Sequence, residues 1–472
     1  MMRAWWMLVL ALTAPMVHAD SSVTRELFQV SSQVLPNGLH VIRHHRDISD
    51  TFTAQLVVDV GLQDFDCDEQ QLPHLLEHML FEGTTRFDRQ ALRQRVRDHG
   101  GKHNGFTTEE YTHYTLELHS DYPEIALENL HSMMTESLFL PEHVESSRQV
   151  IHAEQGTSSN MLHQAASGKK DLHRMAKARV YGGSLLECPD YTIPDGISLQ
   201  RLKDVFGQYY VASNMTLLII GHFDDTRIDQ ALENTLAKLP AAPKPTRTPI
   251  RFSAMDADPV VAQKSLMDPE VDMALYVRVP GTTHPDFAAF DIAAEYLGEK
   301  LFYTVRGEKG LAYTPHAYTD SNSQFGFLRA ATKTLDQFHD QVAELFHTTY
   351  QQLRHDGIPA ADVERLRHKL ILEFESKQRD NNELAQTYRH FRHIIRDRGS
   401  MPDLVERLQQ MDAARVNATL RNHLPLEPLL VSARPPSFGE ALLRMLPATL
   451  VLGAVGVLLL RWSHRRRLRQ IR

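Results

Sequence analysis

The stretch His74-Leu75-Leu76-Glu77-His78 is the part of this sequence best equipped for chemistry. On an α-helix, residues four apart share a face. His74 and His78 therefore present two imidazoles to one point, where neutral ring nitrogens can bind a single zinc ion. Glu77 projects beside that point and is placed to take a proton from a water that the metal activates. Pro73 suits the first turn of the helix, where no backbone N–H is needed.

Such a helix needs a scaffold, and the surrounding pattern describes one. Asn37-Gly38 between apolar runs predicts a hairpin whose two turn residues adopt positive φ. Thr53 to Val60 reads as a buried strand, followed by helical patterns at 72–82 and 88–98. Thr112, Tyr114, Leu116 and Leu118 alternate with other residues, which predicts a half-buried strand. Helices at 122–138 and 142–155, a strand from Met215 to Ile220 and a helix at 225–238 follow. Pro240, Pro243, Pro245 and Pro249 mark 239–262 as a linker.

The second half repeats the order. A strand from Ala274 to Val279 precedes a helix at 286–298, strands near 311–318 and 325–331, and helices at 336–355 and 360–378. The expected class is α+β, with two diverged copies of one domain at 20–238 and 263–432. His390 and His393, three apart on a helix of the second half, read as solvated, since no carboxylate pattern accompanies them.

The ends differ from the body. Residues 1–19 hold one charge, Arg3, an apolar run from Ala4 to Leu12 and a small-residue ending, Val17-His18-Ala19. This reads as a secretory signal peptide. Met445 to Leu460 carries no charge, and 442–461 reads as one transmembrane helix after a short linker at 433–441. Six arginines crowd 461–472, so by the positive-inside rule the basic tail 462–472 is cytoplasmic. The expected location is a bacterial-type inner membrane, single-pass, with the body periplasmic.

The chain has 472 residues and a net charge of −8. Without the seven arginines of its two ends, residues 20–460 carry −15, which argues against nucleic-acid binding and for a tilt towards basic peptides. Two cysteines, Cys67 and Cys188, exclude a disulfide scaffold and a cysteine metal cluster. An exported body permits a bond between them, but their spacing leaves a disulfide and two buried thiols equally open.

The segment from His74 to Thr84, H-L-L-E-H-M-L-F-E-G-T, resembles the signature of the pitrilysin, insulin-degrading and mitochondrial-processing group of zinc metallopeptidases, the inverzincins. The resemblance covers roughly residues 30–420. It implies two domains of antiparallel sheet packed with helices, one zinc ion per chain and endopeptidase activity. It also implies that Glu154, 76 residues after His78, is the third metal ligand. The Val150 and Ile151 positions would place Glu154 on an apolar helix face, where a carboxylate needs a partner.

By the same resemblance, Asn104 in Gly100–Thr107 touches extended substrate, and Arg306 and Tyr313 reach substrate from the second half. Ser147 stands where the family often has a further glutamate. Members of this size often pair two chains. Peptides are therefore the expected partners, with a homodimer or a second family subunit, and the membrane through the C-terminal helix. The competing expectation is a non-catalytic member acting as a structural subunit or a peptide-binding module.

Overall fold

The computed structural model describes residues 28–47, 50–154, 172–188, 196–264, 268–377, 379–437 and 439–440. The expected signal peptide 1–19, transmembrane helix 442–461 and basic tail 462–472 lie outside the described residues. Among the described residues, no helix is long and apolar enough to cross a membrane.

The first half contains β1 (Ser31–Val34), β2 (His40–His45), β3 (Thr51–Val58), α1 (Leu72–Leu80), α2 (Arg89–Asp98), β4 (Lys102–Thr107), β5 (Thr112–His119), α3 (Pro123–Thr135), α4 (Pro141–Glu154), α5 (Leu172–Val180), α6 (Leu199–Tyr209), β6 (Met215–Gly221) and α7 (Asp225–Asn234). The second contains β7 (Val260–Gln263), β8 (Glu270–Pro280), α8 (Ala288–Leu301), β9 (His316–Ser321), β10 (Phe325–Leu335), α9 (His339–Asp356), α10 (Ala360–Lys377), α11 (Asn381–Arg398), α12 (Leu404–Gln409), α13 (Ala413–His423) and β11 (Leu429–Arg434).

The sheet orders are β1-β2-β6-β3-β5-β4 and β7-β11-β8-β10-β9. With β1 set aside, each strand of the first sheet has a counterpart in the second, in the same order. The expected repeat is therefore present in topology. The expected antiparallel sheets hold for most strand pairs, but β2 pairs with β6, and β7 with β11, in parallel. In each half the last strand returns after several helices, and such a crossover can close a parallel pair that a short hairpin cannot.

The hairpin at Asn37 also differs. Its loop runs from Leu35 to Leu39, and only Gly38 has positive φ, at 95°. Asn37 instead donates its side-chain amide to the carbonyls of Leu236 and Ala237, tying the hairpin to the far end of the first half. Residues 240–259 of the expected linker have no regular structure, whereas Val260–Gln263 form β7 of the second sheet.

Strand alternation decides what each sheet face buries. On β3, Phe52, Ala54, Leu56 and Val58 meet Leu72, Leu75, Leu76, Met79 and Leu80 of α1. Val57 points the other way, with Ile42, Leu218 and Ile220, towards α11. There Leu384, Tyr388, Phe391 and Ile395 form one helical stripe against the first sheet. The exchange is reciprocal. Ala176 and Val180 of α5, with Tyr181 and Leu186, pack on Ala274, Tyr276, Phe327 and Val431 of the second sheet. Each half lends a helix to the other's sheet, at about 1.5–3 kcal/mol for each large apolar side chain fully buried.

A charged cluster crosses the same interface. Arg392 of α11 is fully buried between Asp59 (2.7 Å) and Glu110 (3.1 Å). Glu110 also accepts from the backbone N–H and hydroxyl of Ser323. Lys244 reaches Asp59 at 2.6 Å. Burial alone would raise the Asp59 carboxyl, but Arg392, His393 and Lys244 together hold it well below the usual range.

This arrangement corrects in part the reading of His390 and His393 as solvated: both are partly buried, and the His393 side chain stays 38% exposed. The His393 ring lies 3.5 Å from Asp59, and His390 lines a cleft between the halves. Burial pushes both imidazoles down to about 4. Helix α11 carries an apolar stripe and buried cations on the sides turned to the first half, and this crowding covers part of each of the two rings.

Candidate metal centre and its cleft

Helix α1 buries one side in the first core, which leaves His74, Glu77 and His78 at the mouth of a cleft. The Nε2 atoms of the two histidines lie 3.3 Å apart, and each is 3.5 Å from Oε2 of Glu154 at the end of α4. Zinc binds such donors at about 2.0–2.2 Å in a tetrahedron, whose edges are then about 3.3–3.6 Å. The spacing of these three atoms therefore matches one face of such a tetrahedron. Among the described residues this is the one group of three or more His, Cys, Asp or Glu with that convergence.

The protonation states agree with this role. Oε1 of Gln71 accepts from Nδ1 of His74 at 3.0 Å, which leaves the Nε2 lone pair aimed at the metal position. Burial, and then the neighbouring His78, pushes His74 down to about 4, so its ring is neutral at pH 7, as a ligand must be.

Glu77 is 7% exposed, and burial pushes its carboxyl up to about 7. The Thr107 hydroxyl donates to its Oε2 at 2.7 Å and opposes that rise. A carboxyl held near neutrality beside a metal position is suited to accept a proton and return it.

Glu154 reaches its place for a reason other than the expected one. Its side chain is half exposed, and Val150 is also exposed, while Ile151 alone is buried. The carboxylate is therefore not driven to a partner by burial in an apolar face. The packing of α4 against α1 delivers it. Ser147, seven residues earlier, is buried, and its hydroxyl has no hydrogen-bond partner among the described residues.

His74 opens onto two clefts. One, of about 460 Å³, runs between the halves past Thr107, Glu109, Asp320 and Asn322. The other, of about 850 Å³, follows β4 and holds Glu77, His78, Asn104 and Glu154. Because β4 is the outermost strand of its sheet, its far edge is unpaired among the described residues. Asn104 is exposed on that strand and lines the same cleft as Glu77, His78 and Glu154.

Arg306 and Tyr313 come together with each other but not with this centre. The Arg306 guanidinium sits 4.6 Å above the Tyr313 ring and 5.0 Å above that of Phe302. Tyr313 is 73% exposed, and neither residue lines either cleft. Helix α8, the counterpart of α1, contains no histidine, so the second half does not repeat the triad there.

Sequence reasoning missed Gln71, Gly105 and Thr107. Gly105 carried a readable signal, because a glycine inside a strand pattern often marks close approach. It also left Cys67 and Cys188 open, and they form a disulfide. The bond joins the loop before α1 to the segment after α5. The same lead-in is held by Gln70, which donates to the Leu185 carbonyl at 2.6 Å, and by the Arg201–Glu69 ion pair.

Residues 40–190 match the profile of the insulinase family, peptidase family M16, and residues 196–370 match the profile described as the peptidase M16 inactive domain. A protein of Rickettsia felis named as a zinc protease is 22% identical over 384 residues, covering 78% of this chain and 89% of that protein. A probable mitochondrial-processing peptidase subunit beta of Arabidopsis thaliana is 26% identical over 274 residues, covering 56% of this chain and 49% of that protein. The crystal structure of a protease from Helicobacter pylori superposes with a TM-score of 0.73 at 16% identity, covering 86% of this chain and all of the other. At that identity the structural likeness establishes the fold alone.

Proposed function

The chain belongs to the insulinase (M16) family of peptidases, and from that premise we propose that it is a zinc-dependent endopeptidase acting on short or unfolded peptides. The observation that carries this reading is the convergence of His74, His78 and Glu154 on one point, with Glu77 beside it. These three residues would hold one zinc ion. A zinc ion there supplies Lewis-acid polarisation of a water and of the scissile carbonyl.

The remaining steps belong to the chain itself. Glu77 takes the proton of the attacking water and delivers it to the leaving amine nitrogen, while Thr107 holds the carboxylate in place. The unpaired edge of β4 receives the peptide backbone as an added strand, and Asn104 adds a side-chain contact. Main-chain pairing tolerates many sequences, which suits unfolded substrates.

Export and tethering extend the proposal. The Cys67–Cys188 disulfide favours an oxidising compartment, and the apolar segment 442–461 with its arginine-rich tail favours an inner-membrane anchor facing the periplasm. Two copies, or this chain and a second family subunit, would pair so that Arg306 and Tyr313 of one chain serve the metal centre of the other. Tyr313 is exposed and neither residue lines the clefts of its own centre, which supports that arrangement. Mixing a Glu77→Gln chain with a Tyr313→Phe chain restores activity under it, and no rescue argues for a self-contained site.

The deciding experiment measures bound zinc and cleavage of a peptide library, with and without chelator, for the wild type and Glu77→Gln. Zinc at one per chain and chelator-sensitive cleavage lost in Glu77→Gln is the expected result. Stoichiometric zinc with no cleavage by the wild type would make the chain a non-catalytic, peptide-binding member.

A further inference from the structure

The α2 wall of the cleft beside β4 is basic, opposite in charge to the body, while Glu77, Glu82 and Glu154 also line the cleft. Arg89, Arg93 and Arg97 stand at four-residue intervals on α2 and all line the cleft that holds Glu77, His78 and Glu154. That spacing puts them in one row along the helix, about 6 Å apart. Lys102 and His103 at the start of β4 continue the lining.

Two of these cations are already engaged. Arg89 pairs with Glu82 at 3.1 Å, and Lys102 pairs with Glu117 at 3.0 Å. Arg93 and Arg97 make no side-chain hydrogen bond or ion pair with the described residues. Their charge is felt locally, since after burial they are what holds His103 below the usual imidazole value.

We infer that Arg93 and Arg97 form a specificity site for acidic side chains of an extended peptide laid along β4. The inference rests on the peptidase reading of the same cleft and names its substrate class. Gly105 lies against Glu77, and Lys102 is three residues further along the strand, about 10 Å away. An acidic side chain two to four residues from the scissile bond therefore reaches the arginine row. Because strand side chains alternate, two acidic residues spaced two apart match it best. The −15 of the exported body pointed to basic substrates, but a distributed surface charge is screened within about 10 Å at 0.1 M salt, whereas cations lining the cleft act at contact.

The test uses the full-length chain as the zinc-loaded Glu77→Gln variant, so that binding is read without cleavage. Three labelled peptides of one sequence carry Glu, Gln or Lys at two positions spaced two apart, and fluorescence anisotropy gives their affinities. The Glu peptide should bind about tenfold tighter than the Gln peptide, and the Lys peptide weaker than both. Adding Arg93→Glu and Arg97→Glu should reverse that order. A flat ranking, a ranking unchanged by the double charge reversal, or an oligonucleotide displacing the Glu peptide at equal concentration would overturn the inference. Failure of the peptidase reading shows separately, as absence of cleavage by the zinc-loaded wild type whatever the peptide ranking.

Discussion

Gly105 passes so close to Glu77 that a Cβ built on it would lie 2.8 Å from Cγ and 2.8 Å from Oε1 of that carboxylate. It would also lie 2.8 Å from the Phe81 ring. Strand β4 can cover the helix that carries His74, Glu77 and His78 only where it has no side chain. Gly105→Ala should therefore push Glu77 off its position while leaving the three metal ligands in place. A displacement near 1 Å costs on the order of 10²-fold in rate. We expect kcat to fall by roughly that factor with zinc content retained, and an unchanged kcat would show that Glu77 is not positioned by this contact.

Gln71 orients His74, the first of the three proposed ligands, by accepting from its Nδ1. Partners of this kind are typically worth 10–100-fold in metal affinity. Gln71→Ala should weaken zinc binding by roughly 10–100-fold in a competition titration with a chelating dye, with the folded state preserved. Wild-type affinity in that variant would remove Gln71 from the site.

Arg392 is the fully buried cation between Asp59 and Glu110. Replacing it with methionine leaves two buried carboxylates without their main partner. Breaking a buried pair on one side costs about 3–5 kcal/mol. Denaturant unfolding of Arg392→Met should show a loss of that order, and limited proteolysis should cut the 240–259 connection sooner. The triple change Arg392→Met, Asp59→Asn, Glu110→Gln should recover part of the loss.

The acid response follows from buried neutral histidines at the same interface. Burial, and then the neighbouring Arg396, pushes His40 down to about 4, and burial, then Arg46, does the same for His44. Nδ1 of His44 lies 2.8 Å from the Tyr388 hydroxyl. The unfolded chain binds protons near pH 6.5 while the folded chain does not, so stability is full above pH 6.5 and declines as pH falls towards 4. Asp59, held low, adds a further loss below about pH 4. Thermal melts of metal-free protein should show Tm falling across pH 6.5 to 4. The fall should be shallower in His44→Gln.

The Cys67–Cys188 bond closes a loop over a sequence separation of 121 residues. Loop-closure entropy for that length corresponds to about 5 kcal/mol. Cys67→Ser with Cys188→Ser should lower unfolding free energy by several kcal/mol, on the order of that figure. The change should also raise proteolytic sensitivity just before α1. Equal stability of the oxidised and double-serine chains would show that the bond constrains little.

The sequence by itself determined the local chemistry and the repeating order of elements. His74, Glu77 and His78 are four residues or fewer apart on one helix, so helical periodicity alone brings them together. Strands β3, β5, β6, β8 and β10 and helices α1 to α4 and α7 to α10 could be read from alternation and period, because those patterns are short-range, whereas α5, α6, α11 to α13, β7 and β11 were not. Glu154 was reachable only through resemblance, since its helix face is not the buried one the pattern suggested.

Tertiary structure decided what depends on contacts between distant parts of the chain. These are the parallel closing strands, the reciprocal helices α5 and α11, the Arg392 cluster, the disulfide, and the approach of Gly105 to Glu77. The charge balance shows the same division. Counting residues yields an acidic body, but only the placement of α2 beside β4 puts Arg93 and Arg97 in the cleft. Composition sums charge over the whole chain, whereas a bound peptide meets only the few charges within contact distance.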